Sequence, residues 1–214
     1  MAGLFAKGGT RLTPSKRVFD ICLALVLSVV LLPVMAGLIC WLLYKQGGPV
    51  FHVAERMKTS KTAFRLWKFR TMDVAETDAG VTGGDKTNRI TPAGRWLRKT
   101  RLDELPQLWN ILRGDISFVG PRPPLREYVE RFPDLYSAVL QNRPGVTGLA
   151  TIVYHRHESV LLARCVSAEE TDTVYATYCV PTKARLDLIY QEHQSLCFDV
   201  DLICQTVGGI FARR

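Results

Sequence analysis

The chain has 214 residues, enough for one domain with an appendage and for a sizeable buried core. Twenty-eight Lys and Arg against 20 Asp and Glu leave a net charge of +8 and a pI near 9.3, which points to an anionic partner: nucleic acid, anionic lipid or a phosphorylated substrate. The six cysteines (22, 40, 165, 179, 197 and 204) form no CxxC pair and two lie in an apolar run, which disfavours a disulfide or zinc framework.

Residues Ile21–Tyr44 carry no charge over 24 positions, a length that as a straight helix of about 1.5 Å per residue covers a bilayer core. The run is too long for a cleaved signal peptide, so it predicts membrane association. Pro33 falls near its midpoint, where it removes a backbone bond, and Ser28 can satisfy a freed group. Lys7, Arg11, Lys16 and Arg17 precede the run, while Lys45, Arg56, Lys58 and Lys61 follow it. Positive charge on both flanks favours a helix-break-helix hairpin that returns to the same face over a kinked single span. In the single span, Asp20 pairs with Lys16 or Arg17 near the interface.

"KQGGPV" reads as a turn. "VFHVAERM" (50–57) and "AFRLWKFRTM" (63–72) alternate as two short strands joined by "KTSKT". Residues 73–92 are polar and glycine-rich, a long loop of the functional or mobile kind. "AGRWLRKT" (93–100) predicts a basic helix. "LPQLWNILRG" (105–114) predicts another, with Leu105, Leu108, Trp109 and Leu112 at helical spacing, Pro106 in the first turn and Gly114 at the stop. "DISFVGPRPP" is extended and runs into a rigid proline turn. "PLREYVERFPDLYSAVL" (124–140) reads as one helix, and "NRPGVTG" (142–148) as a turn. Helices are expected over 182–196 and 199–212, the second with an apolar stripe of Val200, Ile203, Val207, Ile210 and Phe211 suited to a membrane surface.

"RLDELPQ" (101–107) holds the chemistry. One reading makes Asp103 an N-cap for the helix that follows. The other notes Arg95, Arg98, Lys99 and Arg101 before the pair, and Arg113, Arg122 and Arg126 after it. Those cations and the helix dipole would keep Asp103 ionised, as a carboxylate nucleophile requires. Glu104 suits Mg²⁺, which takes one or two carboxylates plus substrate phosphates, and Arg98 and Arg122 suit bidentate clamping of a diphosphate. Anionic substrate, metal and carboxylate together describe phosphoryl transfer. Nucleic-acid binding is disfavoured because the basic residues gather around carboxylates, and neither GxGxxG nor Walker A is present. "HRH" (155–157) suits a surface or sugar-contacting role more than a metal. "DVD" (199–201) has the form of a DxD motif, but at a helix start it reads as a cap.

"KRVFD", the Pro-interrupted apolar run, "GGPVFHVAERM", "KFRTM", "TPAGRWLRKTRLDELPQLWNILRGDISFVGPRP" and "RPGVTGLA" follow in order. This series resembles the bacterial sugar transferases, the monotopic phosphoglycosyl transferases in their small catalytic-unit form, over roughly residues 14–207. The resemblance implies an α+β, mostly helical fold. A tail and re-entrant membrane hairpin (1–46) would precede a membrane-associated cytosolic catalytic domain (47–214) with a short β-hairpin and interfacial helices. It implies transfer of a sugar 1-phosphate from a UDP-sugar to polyprenyl (undecaprenyl) phosphate at the cytosolic face of the bacterial inner membrane, in glycoconjugate synthesis. UMP leaves, and a covalent aspartyl phospho-sugar forms on Asp103. Glu104, with Asp103, would hold Mg²⁺, and Lys68, Arg70, Arg98, Arg122 and Arg143 would bind substrate. An oligomer is compatible with this. The match weakens at "TIVYHRHESVLLARC". The alternatives are a membrane-bound glycosyltransferase releasing UDP, and a non-enzymatic basic module that binds anionic lipid.

Overall fold

The computed structural model describes residues 13–74 and 88–212, with side chains to residue 209. The expected loop at 73–92 therefore falls largely outside the described residues. Helix α1 (Pro14–Gln46) starts on Thr13, whose hydroxyl accepts from the Lys16 amide at 3.4 Å. The helix continues through Pro33, so the anticipated break is not seen as an interruption of helical backbone. Proline removes one backbone bond, but the residues on either side remain helical and the ladder resumes.

Both ends of α1 are fastened to the same body. At the start, Lys16 Nζ lies 2.5 Å from Asp199 Oδ2 and donates to Tyr190 Oη at 3.2 Å. Arg17 donates to the carbonyls of Ile111 and Leu112, and Asp20 accepts from Ser117 Oγ at 2.8 Å and from the Phe118 amide. The pairing of Asp20 with Lys16 or Arg17 is thus replaced by three separate ties from "KRVFD", because α1 enters between three elements that each present a complementary group. At the far end, Arg70 donates to the carbonyls of Gln46, Gly47 and Gly48, and Gln46 Nε2 donates to the Arg70 carbonyl. Between these anchors the apolar middle is bare, with Val29 74% and Leu32 65% exposed.

Strands β1 (Phe51–Met57) and β2 (Ala63–Phe69) form the expected hairpin, in register from Phe51 opposite Phe69 to Met57 opposite Ala63. Leu38 and Leu42 of α1 pack on Val50, Phe69 and Leu97. Helix α2 (Pro92–Thr100) and helix α3 (Gln107–Arg113) are joined by a 3₁₀ turn, Leu102–Glu104. Leu108 and Ile111 of α3 enter a core with Ala24, Phe64, Leu66 and Ile116. Trp109, expected on that stripe, points outward and is 55% exposed.

Strand β3 (Ser117–Val119) pairs in parallel with β4 (Gly145–Thr147), where the sequence suggested only a turn. The expected helix over 124–140 is two: α4 (Arg126–Arg131) and α5 (Pro133–Val139), parted at Phe132 with φ −128° and ψ 60°. Pro133 excludes the α conformation from the residue before it, and its ring suits the start of the next helix. Helix α6 (Leu149–Ala163) and α7 (Ala168–Val174) follow, then a π-helical turn Tyr175–Cys179, α8 (Val180–Glu192) and α9 (Leu196–Ala212). The core of this half includes Tyr128, Tyr136, Val139, Tyr154, Leu162 and Cys179. In α9 the inward face is Asp199 and Leu202, while Val200 and Val207 face out. Asp199 does not serve as the expected cap; Ser195 Oγ accepts from the Phe198 amide instead.

Candidate active site

One cavity of about 700 Å³ is walled by β1, β2, the 3₁₀ turn, the loop after β3, and α6 and α8. Asp103 and Glu104 line it, each 8% exposed. The backbone at their entrance is unusual: Arg101 adopts φ 59° and ψ 14°, left-handed for a non-glycine residue. Such a conformation is costly and persists where its surroundings enforce it. It stops α2 and starts the 3₁₀ turn. Because that turn runs on toward α3, residue 103 lies within helical backbone and makes no capping hydrogen bond. The capping reading of Asp103 is therefore replaced by one in which its carboxylate faces the cavity.

The two carboxylates stand in different settings. Glu104 Oε1 accepts from Lys68 Nζ at 3.3 Å and from both terminal nitrogens of Arg122 at 3.4 Å. Its other oxygen lies 2.8 Å from Arg101 Nη2, an ion pair whose angles fall short of a hydrogen bond, so both atoms stay buried without an aligned partner. Burial alone would raise the Glu104 pKa, but Lys68, Arg122 and Arg101 outweigh it and hold the carboxyl down at about 2. Asp103 makes no hydrogen bond or ion pair among the described residues. Burial and the charge on Glu104 push its pKa up, against the pull of Lys68, Arg101 and Arg98. The cations expected to act on Asp103 are thus shared: Lys68 and Arg101 lower its pKa, yet their ion pairs go to Glu104. Burial lowers Lys68 to about 8, opposed by Glu104.

The remaining expected site residues divide. Arg98 lines the cavity, steadied by a 2.9 Å bond from Nε to Thr71 Oγ1. Arg70 also borders it, but its guanidinium is tied to the three carbonyls that end α1. Arg143 is not among the lining residues. It lies by Gly114 and Arg17 at the end of α3, and burial and Arg17 lower its pKa. Arg101, which the sequence placed among the cations flanking the pair but not among the substrate-binding residues, is a third ion-pair partner of Glu104 beside Lys68 and Arg122. His155 lines the cavity, whereas His157 packs on the Tyr154 ring at 5.3 Å.

Arg122 reaches the site because two glycine-bearing loops lie backbone against backbone. A Cβ on Gly120, Gly145 or Gly148 would come within 2.2 Å of the carbonyl of Arg143, the amide of Gly120 or the carbonyl of Gly120 respectively. Gly145→Ala is expected to destabilise the fold by about 2–3 kcal/mol through overpacking, measured by thermal unfolding. A variant within about 0.5 kcal/mol of the parent would show that the loops have room to part.

Comparison with known proteins finds relatives of this chain. A family model described as bacterial sugar transferase matches residues 11–213. A UDP-glucose:undecaprenyl-phosphate glucose-1-phosphate transferase of Escherichia coli (strain K12) is 33% identical over 203 residues, covering 93% of this chain and 40% of that protein. An uncharacterized sugar transferase, EpsL, of Bacillus subtilis (strain 168) is 33% identical over 195 residues, covering 91% and 86%. A UDP-N-acetylgalactosamine-undecaprenyl-phosphate N-acetylgalactosaminephosphotransferase of Aeromonas hydrophila is 30% identical over 201 residues, covering 91% and 43%. The chain thus spans about two fifths of the first and third of these relatives and most of the second.

Proposed function

Because the chain belongs to the bacterial sugar transferase family, we propose that it moves a sugar 1-phosphate from a UDP-sugar to polyprenyl phosphate and releases UMP. The observation that carries this reading is the division of labour in the dyad: Glu104 is caged by three cations, while the neighbouring Asp103 carboxylate is unpartnered and faces a cation-lined cavity. Environments that push two titratable groups apart in this way separate their roles. An Asp103 oxygen attacks the sugar-bearing phosphorus, and the bond from that phosphorus to the UMP oxygen breaks. An oxygen of polyprenyl phosphate then attacks the same phosphorus, the bond to Asp103 breaks, and the carboxylate is restored. Lys68, Arg98 and Arg122 neutralise the diphosphate during both displacements. Residues 47–214 form the catalytic domain in this reading.

The site suits a divalent cation of the Mg²⁺ type. Glu104 Oε2 is a buried carboxylate oxygen without a hydrogen bond, next to the unpartnered Asp103. No group of three or more His, Cys, Asp or Glu with metal-site geometry occurs among the described residues, so protein ligands would number two and phosphate oxygens would complete the shell. Bound there, the ion would supply charge neutralisation at the diphosphate.

The membrane reading rests on α1, residues 1–46 forming the tail and hairpin. A straight 33-residue helix of about 50 Å that crosses a bilayer puts its ends on opposite sides. Here Lys16 and Gln46 are both tied to the same body, which supports a re-entrant segment at the cytosolic face of the bacterial inner membrane, dipping in and returning. Exposed Trp96 and Trp109, and Tyr44 at 83% exposure, supply interfacial aromatics beside it. Cysteine labelling at residues 13 and 48 is expected to report one face; labelling from opposite faces would refute the hairpin.

A UMP-release assay with undecaprenyl phosphate, Mg²⁺ and a panel of UDP-sugars tests the reaction. Release of UDP would mean glycosyl transfer, and salt-sensitive lipid binding without turnover would mean a non-enzymatic module. The pH profile carries a further expectation. Below about 8, Lys68 is charged and faces the substrate; above it that charge is lost, so kcat/KM should fall on the alkaline side. Lys68→Arg should move that limb upward by at least one pH unit or so, since Arg stays charged. An unmoved limb would exclude Lys68 as its origin.

A further inference from the structure

The cavity lining also includes a second polar group, on α6 and α8, that the transfer chemistry leaves unused. Glu158 of α6 pairs with Lys183 of α8 at 2.8 Å, and Lys183 Nζ also donates to Tyr175 Oη at 3.2 Å. One turn further along α8, on the same face, Asp187 lines the cavity at 8% exposure. It makes no hydrogen bond or ion pair among the described residues. Burial lifts its pKa to about 7, and Lys183 only partly offsets that. A carboxyl that is nine-tenths buried and unpartnered costs stability, and native folds keep few of them without a use. Tyr175 is delivered by the π-helical turn Tyr175–Cys179, a backbone form that concentrates at functional sites.

Arg122 interacts with both groups. It bonds Glu104, and its own pKa is raised against burial by Glu104, Glu158 and Asp103. A phosphate held at Arg122 beside Asp103 would lie within electrostatic range of Glu158, with the α6 and α8 lining open to its ester substituent. Carboxylates and an ammonium suit a ring bearing several hydroxyls, each both donor and acceptor. They suit uracil less well, since its edge offers a single N3–H donor between two carbonyl acceptors, whereas each hydroxyl can donate to a carboxylate.

We propose that Glu158, Lys183 and Asp187 form the subsite that reads the hydroxyl pattern of the transferred sugar, with Asp187 as a specificity-determining residue. This rests on the phospho-sugar transfer reading above. A site built to hydrogen-bond a hydroxyl discriminates strongly against a ring that misplaces it, because the buried carboxyl is then left unpaired.

The test uses the full chain in lipid nanodiscs. Binding of UDP, UDP-glucose, UDP-galactose and their N-acetylated counterparts is measured by calorimetry, alongside UMP release, for the parent, Asp187→Asn and Glu158→Gln. For the preferred sugar, Asp187→Asn is expected to lower kcat/KM by about tenfold or more and to reorder the panel, with UDP affinity within about twofold of the parent. If that variant does not fold, Glu158→Gln is expected to reorder the panel in its place. An unchanged ranking in a folded variant overturns the proposal. So does an equal loss of UDP and UDP-sugar affinity, which would place the nucleoside here. A parent that releases no UMP counts against the transfer reading alone, while the difference between UDP and UDP-sugar binding still decides the role of Asp187.

Discussion

Asp103→Asn is expected to reduce UMP release by at least about 10⁴-fold while leaving the fold as stable as the parent or slightly more so. The substitution keeps the shape and removes the nucleophilic oxygen. Asp103 is buried without a partner and its charged form is already disfavoured, so a neutral amide relieves a cost rather than breaking a contact. Glu104→Gln is expected to behave differently. It withdraws the countercharge from Lys68, Arg101 and Arg122 in a buried setting, so activity and stability should fall together, the latter by about 3 kcal/mol. Thermal unfolding beside UMP release separates the two cases, and mass spectrometry of the parent with UDP-sugar alone should show one added phospho-sugar. Near-parental turnover in folded Asp103→Asn would sink the nucleophile assignment, and finding the adduct on another residue would relocate it.

Lys16→Met should cost about 3–5 kcal/mol, because it strands Asp199 at 1% exposure with the Tyr190 hydroxyl as its one remaining side-chain partner among the described residues. Asp199→Asn strands Lys16 in turn. The double variant Lys16→Met/Asp199→Leu should recover most of the loss, since a buried ion pair replaced by apolar groups is often neutral. The measurement is unfolding in detergent, with limited proteolysis of α1 as a second readout. Because Lys16 is the first polar tie between α1 and the rest of the protein, the single variants should also expose α1 to cleavage. Single variants within about 0.5 kcal/mol of the parent would mean the pair does not hold the helix. Additive losses in the double variant would mean the two residues act separately.

Local pattern made much of the architecture legible. The β-hairpin appeared at 51–57 and 63–69 because alternation and a polar turn are short-range signals. Helix α3 followed from apolar spacing with Pro106 in the first turn and Gly114 at the stop, and α2 from the basic run at 93–100. By contrast, α6 and α7 escaped because their charged residues are spread around the helix and no stripe stands out. Strand β4 escaped because its partner β3 lies more than two dozen residues away, and parallel pairing leaves no local trace. The site shows the same division. Lys68, Arg98 and Arg122 do meet the dyad, whereas Arg70 and Arg143, equally basic on paper, are turned toward carbonyls and toward Arg17. Charge type can be read from a sequence; which charge a given arginine faces cannot.

What the amino-acid order determined by itself was the chemistry on hand: an uncharged run able to enter a bilayer, a carboxylate pair among cations, and the motif series of the family. Those depend on composition and short spacing. The tertiary structure alone decided that Glu104 takes the cations and Asp103 is left free, that both ends of α1 meet one body, and that Asp187 looks into the cavity that holds the dyad. Each of these is a contact between residues distant in the chain, and burial, which sets its strength, exists only once the chain has folded.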